Sequence, residues 1–276
     1  MKYLNLGCGS RFHPDFVNVD VVSSSRYVKA HDLTEGIPFS DLSFDAVYHS
    51  HLLEHFRKER ALKFLKECNR VLKVKGIIRI AVPDLEQIVR TYLQALDNVL
   101  DHRSEWRANY EWMMLELYDQ AVRERPGGAM LEYLKQNPLP NEGFIYQRIG
   151  YEAARIIDTL RSQSRKAGRR KRSRNFLASI RHLPERLRAS CLRILLDHDE
   201  YRAFETARFR LRGEIHYWMY DRYSLAHVLT EAGFRNPRPM TANESQIPRW
   251  PQYLLDADSD GVVYKPDSLF MEAVKD

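Results

Sequence analysis

The most constraining feature of this chain is a short apolar run that is closed by glycine. Tyr3 to Leu6 is apolar, and the sequence continues as Gly7-Cys8-Gly9-Ser10. The run is too short for a helix, so we predict a buried strand. Glycine lacks a Cβ, which permits a tight turn whose backbone N–H groups face a ligand. On its own, Gly-x-Gly is equally consistent with an ordinary surface turn.

A second predicted strand follows at once and ends in a carboxylate. Phe16 to Val19 forms this strand and Asp20 ends it. A carboxylate at a strand tip beside a glycine turn lies where nucleotide-binding sheets hold a ribose diol. The alternative is a surface aspartate. Only Ser10 to Phe16 joins the two strands, whereas a crossover normally needs a dozen or more residues, so we expect the first helix to be one turn or absent.

The next 70 residues alternate between predicted strands and one amphipathic helix. We predict strands over Tyr27 to Ala30, Phe44 to His49 and Gly76 to Val82, and a helix over Arg57 to Lys73, with Glu54-His55 opening a helix before it. Apolar residues at helical spacing place Cys68 in the core. The strand over Gly76 to Val82 is near-continuously apolar, as in buried parallel sheets, and only Arg79 interrupts it.

Taken as a series, these segments resemble a known family. The segments are LNLGCG, VNVD, HDL, IPFSDLSFDAVYHSHLLEHF, NRVLKVKGIIRIAVPD and YSLAHVLTEAGF. Their order resembles class I methyltransferases that use S-adenosylmethionine, in particular the small-molecule and saccharide branch with an "LEH" signature. The resemblance implies an α/β, Rossmann-like sheet that is mostly parallel with an antiparallel last strand, and S-adenosyl-L-methionine as the cofactor.

The resemblance also divides the chain. It covers residues 1–92 and 214–276, which we expect to form the cofactor-binding core, with the last helix over Ser224 to Ala232 and the last strands over Phe234 to Ala242 and Ser268 to Lys275. Residues 93–213 have no counterpart in the family core. We predict that they form a large, mainly helical, arginine-rich insertion after strand 5, in the place of a lid.

The family pattern assigns cofactor-binding positions residue by residue. They are Leu6, Gly7, Cys8, Gly9, Asp20, Asp32, Leu33 and Ser50. Asp20 would hold the ribose, and Asp32 with Leu33 would hold the adenine. Asp32 has an alternative role as the cap of the following turn. Ser50 and His51 would face the methionine part and the methyl acceptor.

Methyl transfer is an in-line displacement that often needs a base. Three residues are candidates: His51, Asp84 and His216. Imidazole suits this role because its unperturbed pKa lies near neutral pH. For both histidines a purely structural role is the alternative, and for Asp84 the alternative is a helix N-cap.

We expect no metal site. His49, His51, Glu54 and His55 lie close together in sequence, but zincin spacing needs two histidines on one helix, and here a strand end intervenes. The run Asp256, Asp258 and Asp260 faintly resembles a calcium loop, yet lacks its final glutamate.

The composition is that of a globular protein. Apolar residues make up 44% and charged residues 29% of 276 residues. Three widely spaced cysteines do not form a disulfide framework or a cysteine zinc site, so we expect a reducing cytoplasm. Met1-Lys2 leads directly into the first strand, so we expect no secretory signal.

The net charge of +6 is concentrated in one region. Residues 151–212 hold 17 Lys/Arg against 7 Asp/Glu, so the remainder of the chain is net negative. Arg161 to Arg174 contains 8 basic residues, and an apolar stripe runs from Phe176 to Ile194. The segment 161–196 therefore suits peripheral contact with an anionic membrane, with a solvated charge run beside a packed helix as the alternative.

These observations favour a cytoplasmic or membrane-peripheral methyltransferase. The expected partner is a small-molecule or saccharide acceptor, with a role in cell-surface polysaccharide assembly. A nucleic-acid methyltransferase is the alternative enzyme, although Val82-Pro83-Asp84-Leu85 stands in place of the Asn/Asp-Pro-Pro-Tyr/Phe motif. A non-catalytic scaffold docked on a membrane is the other alternative. A dehydrogenase is disfavoured, because Phe12 stands where the third glycine of the G-x-G-x-x-G fingerprint would be.

Overall fold

A seven-stranded sheet forms the centre of the molecule. The computed structural model describes residues 1–167 and 192–276, with side chains for 1–162 and 192–276. The strands are β1 (Tyr3–Leu6), β2 (Phe16–Asp20), β3 (Val28–Ala30), β4 (Phe44–Ser50), β5 (Leu72–Pro83), β6 (Phe234–Met240) and β7 (Ser268–Lys275). Their order is β3-β2-β1-β4-β5-β7-β6, and only β7 runs antiparallel to its neighbours. The predicted fold class is confirmed.

Helices flank the sheet and fill the insertion. In the described residues these are α1 (Lys58–Val71), α2 (Leu85–Leu100), α3 (Arg107–Val122), α4 (Gly128–Leu134), α5 (Glu142–Ala167), α6 (His198–Arg210) and α7 (Arg222–Glu231). No helix joins β1 to β2, as the short connection predicts. Glu54 and His55 do not open a helix: they lie in a separate 3₁₀ turn, Leu53–His55, and α1 begins only at Lys58 because Arg57 has extended backbone dihedrals.

The molecule has two main apolar cores. The larger one packs α1 and α7 against one face of the sheet, and it includes Leu4, Leu65, Cys68 and Leu229. The prediction that Cys68 is a core residue is confirmed. The second core joins α2 to α3, α4 and α5 around Trp112. The proposed division into 1–92 with 214–276 and 93–213 stays a prediction, although α2 shares its core with the insertion helices.

The basic run and the apolar stripe fall mostly outside the described residues. Residues 168–191 belong to neither described range, so the predicted membrane contact through 161–196 has no structural description here. Among the helices that the structure does describe, none has the length and apolar character that crossing a bilayer requires.

Arg79 is the charged residue within the apolar second half of β5, and it is fully buried. Its guanidinium donates to Asp256 Oδ2 at 2.9 Å and to Glu272 Oε1 at 2.9 Å. It also donates to the carbonyls of Thr241 and Glu244, each at 2.8 Å. A buried charge is costly unless it is paired and hydrogen-bonded, so this network satisfies the arginine and fixes the chain after β6 against the sheet.

We predict that Arg79→Met destabilises the protein by about 3–5 kcal/mol, because it leaves two buried carboxylates without their cation. The measurement is the free energy of unfolding from urea titration. Arg90→Met is the matched control, since Arg90 is exposed and pairs only with Glu86 on the surface of α2. A surface pair of this kind contributes about 0–1 kcal/mol. Equal losses for the two variants would show that the Arg79 network does not stabilise the fold.

Candidate functional site

Three cavities meet at the carboxyl ends of the central strands. The strand-end cleft has a volume of about 550 Å³, the inner cavity about 320 Å³ and the tyrosine cavity about 440 Å³. The strand-end cleft is lined by Gly7, Asp20, Val21, His31, Asp32, Leu33, Thr34, His51, Leu52, His55, Phe56, Arg57, Arg60, Leu211, Arg212, Gly213 and Tyr217. In open α/β sheets this edge is where ligands bind.

The glycine turn is locked to the tip of β2. Gly7 and Gly9 both adopt left-handed dihedrals, with φ of 62° and 54°. The Gly9 N–H donates to Asp20 Oδ2 at 2.7 Å. A Cβ on Gly7 would lie 2.9 Å from Cδ1 of Leu52, so a side chain here would have to displace the end of that leucine. Gly7 and Asp20 line the strand-end cleft, whereas Gly9 lines the tyrosine cavity.

Asp32 and Leu33 form the far end of the same cleft. The Asp32 carboxylate accepts a hydrogen bond from the Thr34 N–H at 2.9 Å and caps the short 3₁₀ helix Leu33–Glu35. This bond and a second one from the Thr34 hydroxyl lower the pKa of Asp32. The capping alternative is thus observed, and the residue still lines the cleft. Leu33 is buried beneath it.

The remaining predicted cofactor positions lie elsewhere. Cys8 and Ser50 line the tyrosine cavity, on the other side of the glycine turn, together with Tyr48, Tyr151 and Tyr264. Burial raises the pKa of the Cys8 thiol to about 12, so it is not a nucleophile at neutral pH. Leu6 is fully buried in the sheet core and supports the turn from behind.

His51 lines all three cavities. Strand β4 ends at Ser50, and His51 adopts a left-handed conformation with φ of 49°, which turns its side chain out of the strand alternation. Its Nε2 lies 2.8 Å from Ser268 Oγ. Burial lowers the pKa of His51 well below its usual value, so the imidazole is neutral at pH 7.

His49 has a different environment from His51. Strand alternation would place the two on one face if β4 continued to His51, but the strand ends at Ser50. His49 is fully buried, its ring lies 5.4 Å from the ring of Phe64, and burial lowers its pKa to about 3. It is a core residue and faces no cavity described here.

The inner cavity lies between the strand ends and the insertion. One wall is apolar and comes from α2, α4 and α5, with Ile88, Met130, Leu134 and Ile149 among its residues. Polar side chains also line this cavity, among them His51, His55, Glu116, Gln120, Lys265 and Asp267. His216 also faces this cavity, and burial lowers its pKa to about 3.

Asp84 is a helix cap. Its carboxylate accepts from the Gln87 N–H at 3.2 Å, at the start of α2. Pro83 lines the inner cavity and Asp84 does not. Its catalytic assignment stays a prediction, while the capping alternative is observed.

Sequence reasoning missed two cavity residues, Lys265 and Asp267, which come after Asp256 in the chain. Lys265 lines two cavities and Asp267 lines the inner one. Burial, and after it the nearby Glu116 carboxylate, raise the pKa of Asp267 to about 7. These residues lie in an irregular segment with no recurring motif, so only their closeness to β4 in space reveals them.

Comparison with known proteins gives the class of domain. Residues 15–80 match the family model described as "Methyltransferase domain". The match begins after the glycine turn and includes Asp20, Asp32 and His51. No curated protein matches the chain.

Solved structures resemble the chain at low identity. A SAM-dependent methyltransferase from Archaeoglobus fulgidus is 11% identical over 99% of this chain and 86% of that one, with a TM-score of 0.39. The complex of the Haloferax volcanii Trm112 activator with a putative methyltransferase is 10% identical over 99% of this chain and 81% of that one, with a TM-score of 0.38. The [4+2]-cyclase SpnF is 19% identical over 29% of this chain, with a TM-score of 0.24, and only 38% of its own length is covered. Such likenesses support no inference about an acceptor or partner.

The domain match and the strand order together show a methyltransferase-type enzyme whose cofactor is S-adenosylmethionine. The residues present fit this cofactor. The cleft is lined by the left-handed Gly7 and by the Asp20 carboxylate. Asp20 accepts from two backbone N–H groups, of Gly9 and Val22. A carboxylate has about four acceptor sites, so it retains capacity for a ribose diol.

We predict that Asp20→Ala weakens the binding of S-adenosylmethionine about 10- to 100-fold, because a hydrogen bond to a charged group contributes about 1.5–3 kcal/mol. The measurement is the Kd from isothermal titration calorimetry, with the melting temperature as a check on folding. Asp15→Ala is the control, since Asp15 is exposed in the connection between β1 and β2 and does not line the cleft. An unchanged Kd for Asp20→Ala would remove Asp20 from the cofactor site.

Proposed function

We propose that this enzyme transfers a methyl group from S-adenosylmethionine to a small-molecule or saccharide acceptor that binds in the inner cavity. The observation that carries the proposal is the position of His51, which borders both the strand-end cleft and the inner cavity. S-adenosylmethionine supplies a methyl group that its sulfonium activates for displacement. Donor and acceptor sites that share one residue can bring the two reacting groups together.

The inner cavity has the properties of a site for a small polar molecule. Its volume of about 320 Å³ lies at the lower end of the range for small-molecule sites. The apolar side chains would pack against a ring, and the carboxylates, imidazoles and Lys265 of the same cavity would bind hydroxyl groups. This combination supports the saccharide type of acceptor, and with it the expected role in polysaccharide assembly.

His51 is the residue best placed to act as the base. Its backbone N–H donates to the Ala81 carbonyl at 2.8 Å, and its Nε2 contacts Ser268 Oγ, so both the backbone and the ring are held. An acceptor hydroxyl that approaches from the inner cavity meets this ring at the border of the strand-end cleft. His216 lies deeper in the same cavity and stays the second candidate.

The nucleic-acid, scaffold and membrane alternatives rest on the basic insertion. Residues 168–191 of that segment lie outside the described ranges. No contact in the described parts favours any of the three alternatives over the small-molecule acceptor. The cytoplasmic location and the peripheral membrane contact stay predictions.

The test of the proposal is methyl transfer from labelled S-adenosylmethionine to a panel of monosaccharides, sugar nucleotides and oligosaccharides, with transfer RNA in a parallel assay. We expect label in a saccharide acceptor. His51→Asn should lower kcat by about 10²–10⁴-fold, because general-base catalysis contributes that much, and should leave the Kd of the cofactor nearly unchanged. Asparagine suits this position because it tolerates left-handed dihedrals.

His227→Asn is the matched control, since His227 is exposed on α7. Label that enters only RNA would overturn the acceptor class. A kcat for His51→Asn equal to that of the control would exclude His51 as the base.

A further inference from the structure

Within the described ranges, a buried carboxylate beside the inner cavity has no hydrogen-bond partner. Glu54 is 0% exposed, and neither of its side-chain oxygens accepts a hydrogen bond from another described residue. His51 Nδ1 lies 3.4 Å from Glu54 Oε1, without the geometry of a hydrogen bond. An unpaired acid in this position is destabilising, so a structural role alone does not explain it.

Two histidines face this carboxylate. One ligand atom from each of Glu54, His55 and His216 lies within 4.8 Å of the other two. The two imidazole rings meet edge to face, with centroids 4.9 Å apart.

Hydrogen bonds orient both rings. His55 Nδ1 lies 3.1 Å from the Ile215 carbonyl, so Nδ1–H donates to it and the lone pair lies on Nε2. The Gln120 side-chain amide lies 3.1 Å from His216 Nε2. The Gln120 atom in contact is the amide nitrogen, so its N–H donates to His216 Nε2, and metal binding through His216 Nδ1 needs this amide to turn its oxygen to the ring. A bond from the second ring nitrogen to a carbonyl, as His55 makes, is usual for metal-ligating histidines.

The backbone fixes the two segments to each other. The Tyr217 N–H donates to the Glu54 carbonyl at 2.8 Å, and the His216 N–H donates to the Gln120 carbonyl at 3.1 Å. The closeness of these three side chains is therefore set by main-chain hydrogen bonds between the end of β4 and the chain that returns from the insertion.

We propose that Glu54, His55 and His216 bind a divalent transition-metal ion of the zinc class. One carboxylate and two imidazoles make up a ligand set that such ions use in open sites. An ion about 2.1 Å from each ligand needs ligand atoms about 3.4 Å apart, so the three side chains close by about an ångström on binding. The charge of the ion would neutralise the unpartnered Glu54.

The remaining coordination positions would face the inner cavity, which His55 and His216 line. An acceptor hydroxyl bound there would lose its proton more readily, with His51 beside it to receive that proton. This role rests on the proposed function, whereas metal binding itself does not. Absence of a metal would leave the methyltransferase proposal intact.

The test uses cobalt(II), which replaces zinc and absorbs visible light when it is bound with low coordination number. We expect the metal-stripped protein to bind one cobalt ion per chain and to give an intense visible spectrum that added zinc removes. Glu54→Gln should weaken cobalt binding more than about tenfold. His227→Gln, at an exposed position on α7, should bind as the parent does.

His216→Cys gives a readout that a structural role would not produce. A thiolate ligand to cobalt adds a charge-transfer band in the near ultraviolet, so this band should appear in His216→Cys and be absent in the parent. If Glu54→Gln does not fold, the spectrum of His216→Cys still tests whether these residues bind the metal. Failure of the parent to bind cobalt, equal binding by parent and Glu54→Gln, or cobalt bound to His216→Cys without the band would each overturn the proposal.

Discussion

The geometry of the site depends on one buried cation. Arg79 interrupts the apolar second half of β5, and its guanidinium binds Asp256, Glu272 and the carbonyls of the segment that follows β6. The Tyr48 hydroxyl on β4 also donates to Asp256, at 2.6 Å. Because these bonds hold the chain at Asp256 against the sheet, the residues that come next are fixed as well. They include Tyr264, Lys265, Asp267 and Ser268, which contact His51 or line the cavities beside it.

The second constraint is the end of β4. The strand stops at Ser50, and the left-handed His51 directs its imidazole to the point where the cavities meet. Leu52 packs at the same time against the Gly7 position. The glycine turn, the histidine and the return of the chain at Ile215 to Tyr217 are thus adjacent, which explains how one sheet edge can hold a cofactor cleft and a separate acceptor cavity.

Local patterns in the sequence were sufficient for the core of the fold. The apolar run before Gly7, the carboxylate at Asp20 and the helical spacing around Cys68 are local features, and each lies where local physics predicts it. The short connection after β1 also predicted the missing first helix. Long-range pairings could not be read in this way. Nothing near Arg79 in sequence indicates Asp256, and nothing near Glu54 indicates His216, because these contacts depend on how an insertion of more than a hundred residues returns to the sheet.

The central claim is that the cleft between the glycine turn and Leu33 binds the methyl donor, with His51 at its border with the inner cavity. The most direct measurement is a crystal structure of the protein with S-adenosylhomocysteine, the product of the donor. The account predicts density in the strand-end cleft, with the ribose at Asp20, the adenine beside Leu33 and the sulfur directed to His51. Density for the ligand in the inner or tyrosine cavity, with the strand-end cleft free of it, would contradict the account.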